Sequence, residues 1–207
     1  MKKIKVAVVD DHAVVRMGLK YALSVFKDME FAGEVSDGDG ALKFIEKTNV
    51  DVLLMDIRMP GKGGVEALRE ILLAHPNQKV VMLTTVGTEE DIYQALSAGA
   101  KGYVMKDSAP GNIVEAIRIV AAGGSYIPKE IHDLYLARKN SPELTPRELE
   151  ALSSLAQGLS NREIAAQLGI SEEGAKIHLK HVNEKLHAKD RVDAVAIGLR
   201  KGILRAQ

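Results

Sequence analysis

Over its first 124 residues the chain alternates two hydrophobic periods, and that alternation limits the fold more than any other feature. Short β-branched or apolar runs stand at residues 5–9, 31–35, 52–55, 80–83 and 102–105. Between them, residues 13–26, 40–47, 65–75, 89–98 and 113–122 carry apolar side chains at helical spacing. Strands alternating with helices predict an α/β unit, a doubly wound five-stranded parallel sheet covered on both faces. The nearly unbroken runs at 6–9 and 52–55 suit central strands. Right-handed crossovers place the ligand crevice of such a sheet at the carboxyl ends of its strands.

The pattern changes after Gly123-Gly124. Residues 125–143 mix Pro128, a short amphipathic piece at 131–138 and a polar run, and read as a linker. From Leu144 to the end the signals are helical. Thr145-Pro146-Arg147-Glu148 and Ser160-Asn161-Arg162-Glu163 are capping boxes, and Gly158 and Gly169 sit where the first two helices should stop. Ser171 caps a third helix through Leu186, and Asp190 caps a fourth to about Lys201. Residues 144–207 therefore form a second, smaller all-α module of four helices.

Composition removes several alternatives. The 207 residues include no cysteine, so disulfide frameworks and Cys-ligated metal sites are out. The apolar run at 6–9 is too short for a signal peptide, and no segment approaches the ~18 apolar residues of a membrane span. A soluble cytoplasmic protein without a membrane partner is expected. Net charge is zero, with 28 basic and 28 acidic residues. Charge alone neither requires nor excludes a nucleic-acid partner, because a binding face needs only local charge.

Chemistry-bearing residues gather at the strand ends. Asp10 and Asp11 follow the first strand, Asp56 the third, Thr84 ends the fourth and Lys106 follows the fifth. Each has an ordinary use alone: Asp10 or Asp11 as a helix cap, Lys106 as a solvated lysine, Thr84 as a strand-end hydroxyl. Together they place three carboxylates, an ammonium and a hydroxyl at one crevice. Hard oxygen ligands there fit Mg²⁺, and Mg²⁺, Lys106 and Thr84 can hold three phosphoryl oxygens. Asp56, exposed by the turn Ile57-Arg58-Met59-Pro60-Gly61, is the candidate nucleophile for in-line attack on a phosphodonor. Gly61, Gly63 and Gly64 lack the pattern of a nucleotide-binding loop and read as turn punctuation.

The segments VVDDH, LLMDIRMPGKGG, MLTT and GYVMK resemble the receiver domain of bacterial two-component response regulators over residues 1–124. The resemblance implies a flavodoxin-like fold and a phosphoacceptor at Asp56 served by a cognate sensor histidine kinase. It implies Mg²⁺ held by Asp11, Asp56 and the Arg58 backbone carbonyl, with Asp10 orienting the metal's waters. Thr84 and Lys106 would bind the phosphoryl group, and Tyr103 would turn inward on activation. Thr85 departs from the family, where the residue is usually smaller, and is expected to alter the lifetime of the acyl phosphate.

In the second module, residues 160–168, the Gly169 turn and residues 171–186 have helix-turn-helix spacing. Ala175, Leu179, Val182 and Leu186 form an inward stripe, while Glu173, Lys176, Ile177, Lys180 and Glu184 face outward. An exposed Ile177 between Lys176 and Lys180 fits a major-groove surface, and Arg191 can reach phosphate. Two acidic residues on that face oppose DNA, and a charged outer face is usually only solvated. His178, His181 and His187 lack a fourth ligand for a metal. The segments LTPRELEAL, LSNREIAAQLGIS, AKIHLKHVNEKL and DRVDAVAIG resemble the LuxR-type helix-turn-helix over 144–207.

A receiver joined to this module resembles the NarL/FixJ family of response regulators. That resemblance implies recognition of promoter DNA through Lys176, Ile177 and Lys180, and a homodimer on activation using the last helix around residues 193–200. RNA polymerase is a further candidate partner. Gly174 departs from the Thr-Val that commonly precedes the first of these lysines, and costs the helix start up to ~1 kcal/mol relative to Ala. Two rivals remain at this stage. A phosphatase using Asp56 would want an acid/base carboxylate where Arg58 stands, and a protein-interaction output would account for the acidic residues beside Gly174.

Overall fold

The computed structural model describes residues 3–85 and 88–204. The chain divides into two compact units, Met1–Gly87 with Asp91–Tyr135, and Thr88–Glu90 with Leu136–Gln207. The first unit carries β1 (Ile4–Val9), α1 (Ala13–Ser24), β2 (Met29–Val35), α2 (Gly38–Lys47), β3 (Val52–Asp56), α3 (Gly64–Ala74), β4 (Lys79–Thr84), all but the first two residues of α4 (Glu89–Ser97), β5 (Gly102–Met105) and α5 (Pro110–Ala121). The five strands are parallel in the order β2-β1-β3-β4-β5. The expected doubly wound sheet is present.

Side-chain alternation along β3 explains why both faces are covered. Val52 and Leu54 enter one core layer with Leu19, Leu23 and Ile117 from α1 and α5. Leu53 and Met55 enter the other with Leu68, Ile71 and Ile92 from α3 and α4. Every residue of β3 is buried, so this strand is the hydrophobic centre of the unit. The strand order reverses between β1 and β3, which pair side by side. Their carboxyl ends deliver Asp10 and Asp56 to one crevice.

Several boundaries shift by a few residues from the sequence expectation, and two of the differences have a clear physical reason. Helix α5 begins at Pro110, three residues before the first buried side chain, because proline at the first turn is already set to helical φ. The 125–143 segment holds a full helix, α6 (Lys129–Lys139), rather than a short piece. It has no buried residue, so its hydrophobic signal is weak in the sequence. Ile131 and Tyr135 pack on the first unit's core, and the Tyr135 ring stacks on Tyr93 at 5.9 Å. Just before it, Tyr126 joins the edge of β5, accepting the Tyr103 N–H at 2.9 Å.

The second unit holds α7 (Pro146–Ala156), α8 (Asn161–Leu168), α9 (Glu172–Leu186) and α10 (Arg191–Lys201). Both expected capping boxes form, at Thr145 and Ser160. Ser171 accepts from the Gly174 N–H, and Asp190 from the N–H groups of Val192 and Asp193. Gly169 takes the left-handed conformation (φ 67) that lets α8 stop and α9 turn away. Leu152, Ile164, Ala175, Val182 and Ala194 are fully buried at the centre. Residues 205–207, included in the expected module, lie outside the described residues.

One acidic side chain knits this unit. Glu148, only 5% exposed, accepts from the Thr145 N–H at 2.8 Å and from Lys185 Nζ at 2.6 Å. Burial pushes its carboxyl up, but Lys185 and Thr145 together hold it below its ordinary value of 4.5. The folded form therefore favours the carboxylate, so its stabilisation is present at neutral pH and fades as pH falls below about 4.5. Glu148→Gln should lower the unit's stability at pH 7 by about 2 kcal/mol and flatten its dependence on pH between 3 and 5, measured by urea denaturation.

Gly64 has a tighter constraint than a turn. A Cβ there would stand 1.8 Å from the Asp56 carbonyl oxygen, so only glycine lets α3 begin against the end of β3. Gly64→Ala should destabilise the first unit by at least about 1–3 kcal/mol, whereas Gly111→Ala, which meets nothing within 4 Å, should be neutral or stabilising in the same melting experiment.

Candidate functional sites

The crevice gathers the predicted residues in one place. Asp10, Asp56 and Thr84 are buried at 0%, 3% and 1% exposure. Ligand atoms of Asp10, Asp11, His12 and Asp56 all lie within 4.8 Å of one another. Lys106 Nζ stands 2.7 Å from Asp10 Oδ2 and 2.7 Å from Asp56 Oδ2, with its side chain 7% exposed. The solvated-lysine alternative is therefore excluded. Backbone pairing sets this position, since the Lys106 N–H donates to the Thr84 carbonyl at 2.7 Å. The helix-cap alternative fails too: the N-cap of α1 is His12, and no side chain caps that helix.

Electrostatics follow from the burial. Removal from water, the largest influence, raises the Asp56 carboxyl above its ordinary range. Lys106 opposes that rise and the Asp10 charge adds to it. Burial also works against the Lys106 ammonium, but Asp10 and Asp56 outweigh it and hold its pKa above the ordinary value. Asp56 Oδ1 accepts the Arg58 N–H at 3.3 Å, and Asp10 Oδ1 the His12 N–H at 2.9 Å. Three clustered carboxylates without thiolates are a hard donor set, which fits Mg²⁺.

Around this centre, Tyr103 is fully buried, the inward position that the receiver resemblance associates with activation. Burial first, and the Asp91 charge second, push its phenol well above the ordinary range. Its hydroxyl has no well-directed hydrogen bond among the described residues. The Arg58 side chain turns outward, 60% exposed, and pairs with Asp91 of α4 at 2.9 Å. Thr85 is exposed next to buried Thr84.

In the second unit, α9 presents Lys176, Ile177 and Lys180 to solvent, with Ile177 48% exposed. Ala175, Val182 and Leu186 are buried and Leu179 packs on them, so the expected inward stripe is correct. Lys176 and Lys180 are loosely paired with Glu173 and Glu184, at 3.4 and 3.8 Å on an exposed face. Such pairs contribute little, so both lysines can exchange carboxylate for phosphate. Arg191 donates from Nη2 to the Leu159 carbonyl at 2.9 Å, which anchors it beside the same face. A Cβ on Gly174 would meet only ordinary contacts at 3.4 Å and beyond, so the small residue there is not required by packing.

Three contributors escaped the sequence reading. Gly64 looked like turn punctuation, and only the fold shows its approach to Asp56. Asn161 and Asn183 line one cleft with Lys176, Lys180 and Arg191. Asn183 was legible in principle, because residues 176, 180 and 183 step by four and three along one helix face. Asn161 was absorbed into the capping box.

Both units of the chain match known proteins. Residues 6–118 match the family described as response regulator receiver domain, and residues 142–197 match bacterial regulatory proteins, luxR family. The transcriptional regulatory protein YxjL of Bacillus subtilis (strain 168) is 39% identical, over 98% of each chain. The nitrate/nitrite response regulator NarL of Escherichia coli (strain K12) is 33% identical, over 91% of this chain and 92% of its own. Among solved structures, the response regulator ChrA of a heme-sensing two-component system is 36% identical, with a TM-score of 0.57 over 99% and 100% of the two chains. RcsB of Salmonella typhimurium, at 24% identity and a TM-score of 0.77 over 94% and 98%, shares the fold. With both domains matched along nearly its whole length, the chain belongs to the NarL/FixJ family of response regulators, transcription regulators that join a receiver to a LuxR-type DNA-binding domain.

Proposed function

We propose that this regulator takes a phosphoryl group onto Asp56 from a histidine kinase and, so modified, dimerises and binds promoter DNA through α9. The division of labour follows the sequence boundaries: receiver 1–124, linker 125–143, DNA-binding module 144–207. The observation that carries the proposal is Lys106, held at 2.7 Å from both Asp10 and Asp56 in a buried carboxylate crevice. An ammonium fixed there is placed to hold a phosphoryl oxygen on Asp56.

In the transfer step an Asp56 carboxylate oxygen attacks phosphorus in line. The new O–P bond replaces the donor's N–P bond, and the imidazole leaves. Lys106 and the Thr84 hydroxyl hold phosphoryl oxygens. Asp11, Asp56 and the Arg58 carbonyl would hold Mg²⁺, with Asp10 orienting its waters; the ion supplies charge neutralisation at the phosphoryl group. The acyl phosphate brings roughly −1.5 to −2 charges where a single carboxylate stood. Buried Thr84 and Tyr103 carry that change outward, Tyr103 being tied to the linker through its N–H, which donates to the Tyr126 carbonyl at 2.9 Å.

On DNA, Lys176, Ile177 and Lys180 read the major groove, while Arg191, Asn161 and Asn183 serve the flanking phosphates. Helix α10 exposes Val192 and Leu199, at 73% and 42%, as the dimer surface. A two-fold dimer would read half-sites about 10 bp apart. RNA polymerase is the expected downstream partner, and the cytoplasm the compartment. The phosphatase alternative is disfavoured because Arg58, in its acid/base position, carries a cation engaged with Asp91.

Promoter binding, followed by fluorescence anisotropy at two salt concentrations, tests the reading. Acetyl phosphate with Mg²⁺ should tighten binding in the wild type and leave Asp56→Asn unchanged. Lys176→Ala should weaken binding and reduce the salt slope by about one unit. Equal affinity with and without phosphodonor would reject phosphorylation control, and no binding in either state would favour a protein-interaction output.

A kinase must cover the crevice rim to bring its phosphohistidine to Asp56. Helix α1 starts at that rim and exposes Val14, Met17 and Tyr21, with Val25 beyond its end, at 63–82%. They step by three, four and four along one face, an apolar stripe fit for a partner helix. Met17→Lys should slow phosphorylation by the kinase at least about tenfold while leaving phosphorylation by acetyl phosphate unchanged, measured on phosphate-affinity gels.

A further inference from the structure

The β1–α1 turn holds two of the three crevice carboxylates, yet no side chain caps the helix that follows it. Arg16, one turn into α1, ties that turn from the other side, donating to its carbonyl oxygens. Its Nη1 reaches back to the carbonyl oxygens of Asp10 at 2.7 Å and Asp11 at 3.2 Å. Its Nε pairs with Glu34 Oε1 on β2 at 3.2 Å, and the side chain is 15% exposed. These two carbonyls belong to the peptides on either side of Asp11. One guanidinium therefore pins both peptide planes flanking that residue.

We infer that Arg16 is a positioning residue that sets the Asp11 carboxylate for the divalent cation through the backbone. Asp11 depends on such support more than its neighbours do. Asp10 is fixed by the His12 N–H and Lys106, and Asp56 by the Arg58 N–H and Lys106. The contact made by Asp11 Oδ1 is the His12 imidazole at 2.7 Å, whose side chain is 64% exposed. Arg16 makes no contact with a crevice carboxylate, so its effect runs through peptide orientation. The fork geometry matters, because Nη1 meets the two carbonyls while a different nitrogen, Nε, meets Glu34, and an ammonium has one nitrogen to place against all three. This inference rests on the reading that the crevice binds Mg²⁺.

The test uses the full chain and two readouts. Mg²⁺ is titrated against the melting temperature without phosphodonor, and against the rate of phosphorylation by acetyl phosphate. Removing an outer support of this kind costs about 10–100-fold in metal affinity. Arg16→Ala should raise half-saturating Mg²⁺ at least about tenfold in both titrations, with the phosphorylation rate at saturating Mg²⁺ close to wild type. Arg16→Lys, which keeps the charge and tests the fork if the alanine variant does not fold, should show most of the same shift. A lower melting temperature with unchanged half-saturating Mg²⁺ would reduce Arg16 to a structural role and overturn the inference. Wild-type Mg²⁺ response in Arg16→Lys would overturn the fork. A wild type that itself ignores Mg²⁺ in both titrations would instead remove the metal reading of the site, and the inference with it.

Discussion

Burying carboxylates together is costly unless a cation shares the space, and Lys106 is the cation that makes this crevice stable. It stands between Asp10 and Asp56 at 2.7 Å from each, almost out of solvent. An isolated charge in such a place would cost several kcal/mol, while a paired and hydrogen-bonded cluster can persist. The rest of the receiver is arranged to bring these groups together. Parallel strands with their polar ends aligned supply the carboxylates, and the reversal between β1 and β3 leaves the gap in which they meet.

Support for the site is spread through elements that never touch a ligand. Gly64 allows α3 to start against the carbonyl of Asp56, and Lys62 anchors the intervening loop to Asp39 and Glu70 at 3.0 and 2.7 Å. Arg58 ties the same loop to α4 through Asp91. On the opposite side, the linker is built into the first unit by Tyr126 on the β5 edge and by the Tyr93–Tyr135 stack. Tyr103 is thus tied through its backbone to the start of the linker within the same unit.

Much of this was legible in the sequence because the relevant signals are local. Strand and helix periods located the elements of the first unit, and capping boxes located the starts of α7 and α8. The strand-end positions of Asp10, Asp56, Thr84 and Lys106 were readable because parallel topology brings strand ends together whatever the loops do. What was hidden depends on distance in space. Nothing local distinguishes Gly64 from Gly61, although only the former has a carbonyl oxygen 1.8 Å from where a Cβ would lie. Arg16 likewise looks like one more polar residue on α1 until its guanidinium is seen against the turn behind it. Helix α6 was muted because it buries no residue completely.

The central claim is that Asp56 carries the phosphoryl group, and reductive trapping tests it most directly. Borohydride converts an aspartyl phosphate to homoserine, which peptide mass spectrometry can assign to a position. After treatment of the full chain with acetyl phosphate and Mg²⁺, homoserine should form at position 56 and nowhere else, and should be absent when phosphodonor is omitted. Homoserine at Asp10 or Asp11, or phosphate retained on His12 or Thr84 with Asp56 unmodified, would contradict it.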